Sequence, residues 1–321
     1  MTRLVAAEIS RLLSRRFTAI ALIVLLLGLG GYQLVVNDSL SPLTGEQLAG
    51  AQHAYEQSHK DWVDNHEKYE RDCRDTGGTP DECTIPEPTL ADFSVEPTPF
   101  KEAASTALLV STVFVALATF MIAASFIGAE YSSGSISTWL TFVPRRGAVF
   151  WSKLLTVIGF AALLAAVSSA LVLAATLVLA RLHGSHVELL RDLAAMAARS
   201  VLVAVGLAVL GFCLGLMTRH TAGAIGVLLA LVVVSFVRIG PLNSLAWAQR
   251  ITPWTPDGNL AAIVARGYRY YMPVEKLTPE GVNVEFTQHS LSLAHGATYW
   301  AILLLVLVAS SLLIFRRREV L

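Results

Sequence analysis

FTAIALIVLLLGLGGYQLVV, residues 17–36, decides the fold class. The run contains no charged residue, and about 20 mainly apolar residues are what a helix needs to cross a hydrocarbon core of ~30 Å. No A-x-A cleavage pattern follows it, so it reads as a retained span rather than a removed signal peptide. Five further segments qualify in the same way: Ser105–Ile127, Leu154–Ala180, Ser200–Met217, Ala222–Val237 and Thr298–Phe315. The fifth span, at about 16 residues, is short by the length criterion. The 321-residue chain is 54% hydrophobic and 15% charged, too apolar for an ordinary soluble domain of that length. An all-α, polytopic membrane protein is expected, with residues 1–321 as a single transmembrane domain.

Formal net charge is zero, but the charges are segregated. Arg3, Arg11, Arg15 and Arg16 precede the first span, and Arg145, Arg146 and Lys153 follow the second. Arg219 sits in the tight turn after the fourth, and Arg316-Arg317-Arg318 close the chain. Short loops rich in Lys and Arg stay in the cytoplasm. Six spans with both termini inside put all four groups on one side. The first 16 residues place Leu4, Ile9 and Leu12-Leu13 among arginines, the pattern of a short amphipathic helix on anionic lipid or of a simple positive anchor.

The segment Asn37–Ala104 carries about fifteen Asp and Glu against five Lys and Arg, which assigns it to the outside. Thr44 and Gln47 form a capping-box pattern, and Leu48, Tyr55, Trp62 and Tyr69 recur along one helical stripe. Such a stripe more often packs on a neighbouring element than binds a ligand. Thr76–Pro99 is rich in Pro, Gly and acids and reads as loop. Cys73 and Cys83 flank Gly77-Gly78 and Pro80, a turn that can bring them together as a disulfide in an oxidising exterior. A metal pair is the alternative, but no His or Cys partners stand at ligand spacing, and no metal site is expected. His53, His59 and His66 read as solvated surface residues, and Cys213 as a small packed one.

In the second outer segment, 238–297, Leu242, Leu245, Trp247 and Ile251 precede Pro253 and Pro256. Asn259–Arg266 then gives another short apolar helix before Tyr268, Tyr270 and Tyr271. Proline-broken helices flanked by Trp and Tyr suggest re-entrant or interfacial helices. They can cap a translocation path or form an interfacial belt, and the two readings stand level.

Ionisable groups inside a span are accepted only for function, and these spans hold essentially none. Arg181, Arg199 and Arg238 lie at span ends, where they can snorkel. Ser168, Ser169 and Thr176 are expected to bond neighbouring helices or their own backbone. No G-x-x-x-x-G-K-[ST] loop or H-E-x-x-H helix is present, and His183 with His186 reads as a turn. No catalytic constellation emerges. An enzyme is not expected, nor is a nucleic-acid partner.

The polar interruption 128–153, GAEYSSGSISTWLTFVPRRGAVFWSK, lies between two spans on the basic side. Ile136, Trp139, Leu140 and Val143 form an apolar stripe at helical spacing, and Glu130, Ser133, Ser137 and Thr141 a polar face. Pro144 stops the helix, Arg145 and Arg146 sit at the headgroups, and Lys153 opens the third span. Alone, this describes an amphipathic surface helix.

Glu130-Tyr131, Ser133-Gly134, the apolar stretch, Pro144-Arg145-Arg146 and Lys153-Leu154 together resemble the first cytoplasmic loop of ABC transporter permeases of the type-2 exporter class. Six spans, a long outer loop after the first, and broken helices before the last fit the same class. The large acidic outer loop departs from it. The resemblance implies a coupling helix in which Glu130, Tyr131, Gly134, Ile136, Trp139 and Leu140 meet a separate ATP-binding subunit. Pro144, Arg145, Arg146 and Lys153 would anchor that helix at the membrane surface. It further implies a second permease copy, ATP and Mg held by the partner subunit and no cofactor in this chain, and multi-pass residence in a cell membrane, of bacterial plasma-membrane type. The alternative is a six-span protein that binds a ligand or partner through its acidic outer loop, without a pump. An intramembrane enzyme is disfavoured by the lack of in-span carboxylate, His or Cys pairs.

Overall fold

The computed structural model describes residues 2–94, 97–142, 145–187, 190–242, 245–278 and 281–317. Helix α1 (Thr2–Leu13) precedes the first long helix, α2 (Arg16–Leu40). α3 (Gly45–Asp75) and the single turn α4 (Pro80–Cys83) form a unit outside the bundle. α5 (Phe100–Ser132), the short α6 (Ser135–Phe142), α7 (Arg146–Leu182), α8 (Leu190–Thr218) and α9 (Thr221–Ile239) follow. Then come α10 (Ala246–Arg250), α11 (Pro256–Val264), a hairpin of β1 (Gly267–Thr278) and β2 (Gly281–Ser292), and α12 (Leu293–Arg317).

Six helices, α2, α5, α7, α8, α9 and α12, are long and apolar enough to cross a membrane. Several outrun the apolar segments read from sequence. α5 continues to Ser132 and takes in Glu130, and α7 begins at Arg146, two turns before Leu154. The extensions mix charged and apolar residues, with Val149 and Phe150 buried alongside Glu130 and Lys153.

α5 and α8 make the centre, with 67% and 61% of their apolar windows buried, against 17%, 11% and 17% for α2, α9 and α12. Small residues allow the central pair to touch. A Cβ on Gly211 would lie 2.4 Å from the Phe120 carbonyl oxygen, so the α8 backbone rests on α5 there. Between apolar helices, such close packing and interhelical hydrogen bonds supply the association energy that water cannot. Thr112 Oγ1 donates to Ser200 Oγ at 2.6 Å, and Thr119 Oγ1 to the Ala204 carbonyl at 3.1 Å. On α7, Thr176 bonds the Gln33 side chain of α2 as expected, at 3.4 Å.

The bundle has two distinct ends. At one, Arg11, Arg15, Arg145, Arg146, Arg219, Arg316 and Arg317 gather around α1 and α6, here termed the basic end. The opposite end carries α3, α10, α11 and the hairpin. There His183 of α7 bonds Asn37 Oδ1 at 3.0 Å at the end of α2.

The acidic unit bears out its capping box, with Thr44 Oγ1 accepting from Gln47 N and the Gln47 side chain accepting from Thr44 N. Cys73 and Cys83 form the disulfide, with Cα atoms 5.6 Å apart. The aromatic stripe packs on the returning segment: Trp62 Nε1 donates to the Ile85 carbonyl at 3.0 Å, and Tyr55 meets Phe93 edge-on. His59 and His66 belong to this packing, since His66 stacks on Trp62 with centroids 4.1 Å apart and His59 pairs with Glu87.

The chain is mostly helical, and the hairpin is the exception that sequence reading left inside a helical segment. Tyr268, Tyr270 and Met272 alternate inward with Leu291, and Arg269 and Tyr271 point outward. That period of two is the strand signal the tyrosines carried.

Candidate functional site

The basic end joins α1, α5, α6 and α7 through buried charges. Glu130, in the last turn of α5, and Lys153, two turns into α7, face each other, with Lys153 Nζ 2.7 Å from Glu130 Oε2. This contact is an ion pair rather than an aligned hydrogen bond, because Glu130 Oε2 lacks a well-directed donor. Lys153 Nζ also donates to Glu8 Oε2 of α1 at 2.8 Å. Arg15, between α1 and α2, donates to Glu130 Oε1 at 3.3 Å and to the Ser125 carbonyl at 3.0 Å.

The side chains of Glu8, Lys153 and Glu130 are 0%, 1% and 4% exposed. Two carboxylates face two cations, so the four-residue network closes on itself electrically. Isolated charges in such surroundings cost many kcal/mol, and only pairing makes them tolerable. Phe126 lies between the cations, its centroid 5.0 Å from Lys153 Nζ and 5.1 Å from the Arg15 guanidinium carbon. Burial pushes the Arg15 guanidinium down from its usual value; Glu130 and then Glu8 push it back up, and Arg11 pushes it down.

α6 hangs from this assembly. The chain turns out of α5 at Gly134 with φ +68°, a left-handed conformation that glycine adopts without strain. Ile136 is 1% exposed and seats the helix against the cluster containing Phe126, Val149 and Phe212. Trp139 is half-buried, with the Arg11 guanidinium of α1 4.1 Å over its ring. Thr138, Thr141 and Phe142 face outward, Phe142 with 77% of its surface exposed.

Sequence reading assigned these residues to roles that the geometry divides differently. Glu130 and Ile136 are buried within the chain, Glu130 in the charge network and Ile136 at the seat of α6. Tyr131 lies beneath the Arg219 guanidinium, 5.9 Å from its ring centroid. Lys153 is not a headgroup anchor, being enclosed by two carboxylates from α1 and α5. Arg146 instead reaches the carbonyls of Phe315 and Arg316 at 3.5 and 3.4 Å, helping to satisfy the unpaired end of α12. Arg145 is exposed at the start of α7. Pro144 and Val143 lie outside the described residues, as does the Leu140 side chain.

Glu8 and Phe142 went unnoticed in the sequence. Glu8 is the single acid among the basic residues of the first 16, and that isolation was the available signal. A second correction concerns Arg238. It does not snorkel: the residue is 5% exposed at the end of α9, where it binds Asp257 of α11 and Thr252.

Comparison with family models, with curated proteins and with solved structures finds no match for this chain.

Proposed function

We propose that this chain is the membrane-spanning permease subunit of an ATP-driven exporter, akin to the type-2 ABC class its loop resembles. The observation that supports this best is α6: an eight-residue helix seated through Ile136 against residues of α5, α7 and α8, with an outward face of Thr138, Thr141 and Phe142. A rigid helix passes displacement from a partner into α5 and α7 better than a slack loop does. The sequence has no phosphate loop, so ATP and Mg would be bound by a separate subunit. On this reading the basic end is cytoplasmic, the chain resides in a cell membrane, two permease copies form the path, and the exposed part of α6 enters a groove of the ATPase.

Phe142→Ser tests the reading, because it alters the outward face without touching the buried charges. Expressed with an ATP-binding protein encoded beside it, the chain should co-purify with that protein and stimulate its ATPase. The substitution should cut the stimulation by about tenfold, roughly 1.4 kcal/mol of coupling at an interface hot spot. Stimulation that survives intact refutes the role of α6.

The second reading, binding through the acidic outer unit, is favoured by a groove of about 230 Å³ lined by Asp61, Trp62, His66, Tyr69, Ile85 and Pro86. Repeated purification without an ATP-binding subunit would favour it.

A further inference from the structure

α9 is nearly unsupported. Among the described residues it buries Ala224 near its start and Arg238 in its last turn, and the face between them is apolar and exposed, including Leu229, Val232 and Phe236. It packs on α5 and α8. Among the described residues it reaches α10 and α11 through side-chain hydrogen bonds. Arg238 binds Asp257 Oδ2 and donates to Thr252 Oγ1 at 3.0 Å and to the Ala248 carbonyl at 3.4 Å, while Ser235 Oγ donates to Asp257 Oδ1 at 3.3 Å.

The α10–α11 segment is otherwise fastened to α12 and α8. His295 and Tyr299 of α12 bond the carbonyls of Pro253 and Trp254, Trp300 Nε1 donates to the Pro256 carbonyl, and Arg199 Nε of α8 donates to the Val264 carbonyl. A Cβ on Gly296 would lie 2.5 Å from the Asn259 carbonyl oxygen, so α12 and α11 are in backbone contact. The segment is therefore packed on α12, and among the described residues Arg238, with Ser235, ties it across to α9.

We propose that Arg238 and Asp257 form a latch across a seam between α9 and the α10–α11 segment, and that releasing the pair opens this seam at the hairpin end of the bundle. The asymmetry carries the argument. α11 packs on α12 with their backbones in contact, whereas the described contacts to α9 are side-chain bonds centred on Arg238 and Asp257. A packed helix interface resists small separations at every contact, but a small cluster of bonds sharing one arginine and one carboxylate separates as a unit once its partner moves. Moving α9 there breaks little packing within the chain, since only 11% of its apolar window is buried. The latch does not depend on the proposed ATPase partner.

Cysteine accessibility in the full chain tests it. Cys73 and Cys83 are disulfide-bonded and Cys213 is buried, so Ala248→Cys supplies one new thiol at a position that is 0% exposed beside the latch. In liposomes, a water-soluble maleimide should label that thiol slowly. Asp257→Asn should speed labelling by about tenfold or more, and the exchange Arg238→Asp with Asp257→Arg should return it toward the starting rate. Arg238→Gln breaks the same pair from the other side, leaves the more exposed carboxylate behind and serves if Asp257→Asn does not remain monodisperse. Labelling rates unchanged in Asp257→Asn, or in Arg238→Gln if that variant has to stand in, overturn the latch. So does fast labelling of Ala248→Cys in the otherwise unaltered chain.

Discussion

Lys153 balances carboxylates that reach it from two different helices, Glu8 on α1 and Glu130 on α5. Removing the cation leaves both carboxylates buried with only Arg15 nearby. Lys153→Met should therefore destabilise the chain by about 3–5 kcal/mol, the usual cost of stranding a buried charge. Thermal unfolding in detergent measures it, and a melting point equal to that of the parent protein would show that the network contributes nothing. Joining Lys153→Met to Glu8→Gln should recover much of the loss, because Glu130 then keeps Arg15 as its partner and no charge is left unpaired. For the same reason Glu130→Ala is a poor probe of partner coupling, since it disturbs folding first.

Among the elements, the acidic unit outside the bundle shows a local rule working twice. Glu82 accepts from the Thr79 hydroxyl and backbone N–H at the start of α4, and Asp92 accepts from the Thr89 N–H and hydroxyl in the next turn. These bonds favour the ionised forms and hold both carboxyls below their usual values. A lowered folded-state value means stability that is present above the unfolded-state value and lost as pH falls through the folded one. Amide protection over residues 79–92, normalised for intrinsic exchange, should be unchanged from about pH 7 to 5 and fall by about pH 3. Protection that persists under acid would mean that the disulfide alone orders the segment. Helix α6 contrasts with this unit. Its existence was legible in the spacing of Ile136 and Trp139, but its seat was not, because Arg11 and Glu8 approach from more than a hundred residues away.

For the assembled chain, the exposed apolar faces of α2, α9 and α12 can be covered by lipid or by a second copy, and the proposed function calls for the copy. Mass measurement of the detergent-solubilised protein should give a dimer, or a four-chain complex when an ATP-binding subunit is present. A strictly monomeric species, with or without such a subunit, would contradict the paired arrangement.

Hydropathy, charge segregation and capping are properties of short windows, and they sufficed for six spans, the basic end, the Thr44 capping box and the Cys73–Cys83 bridge. The same windows misread Lys153 and Arg238 as residues bound for the interface. A lone cation at a span end looks the same whether it meets headgroups or a buried carboxylate. Which of these it meets depends on partners distant in sequence: Glu8 lies 145 positions from Lys153, and Asp257 lies 19 from Arg238. Folding had to bring those pairs together, because the low dielectric of a packed interior leaves a charge no acceptable state except beside its opposite.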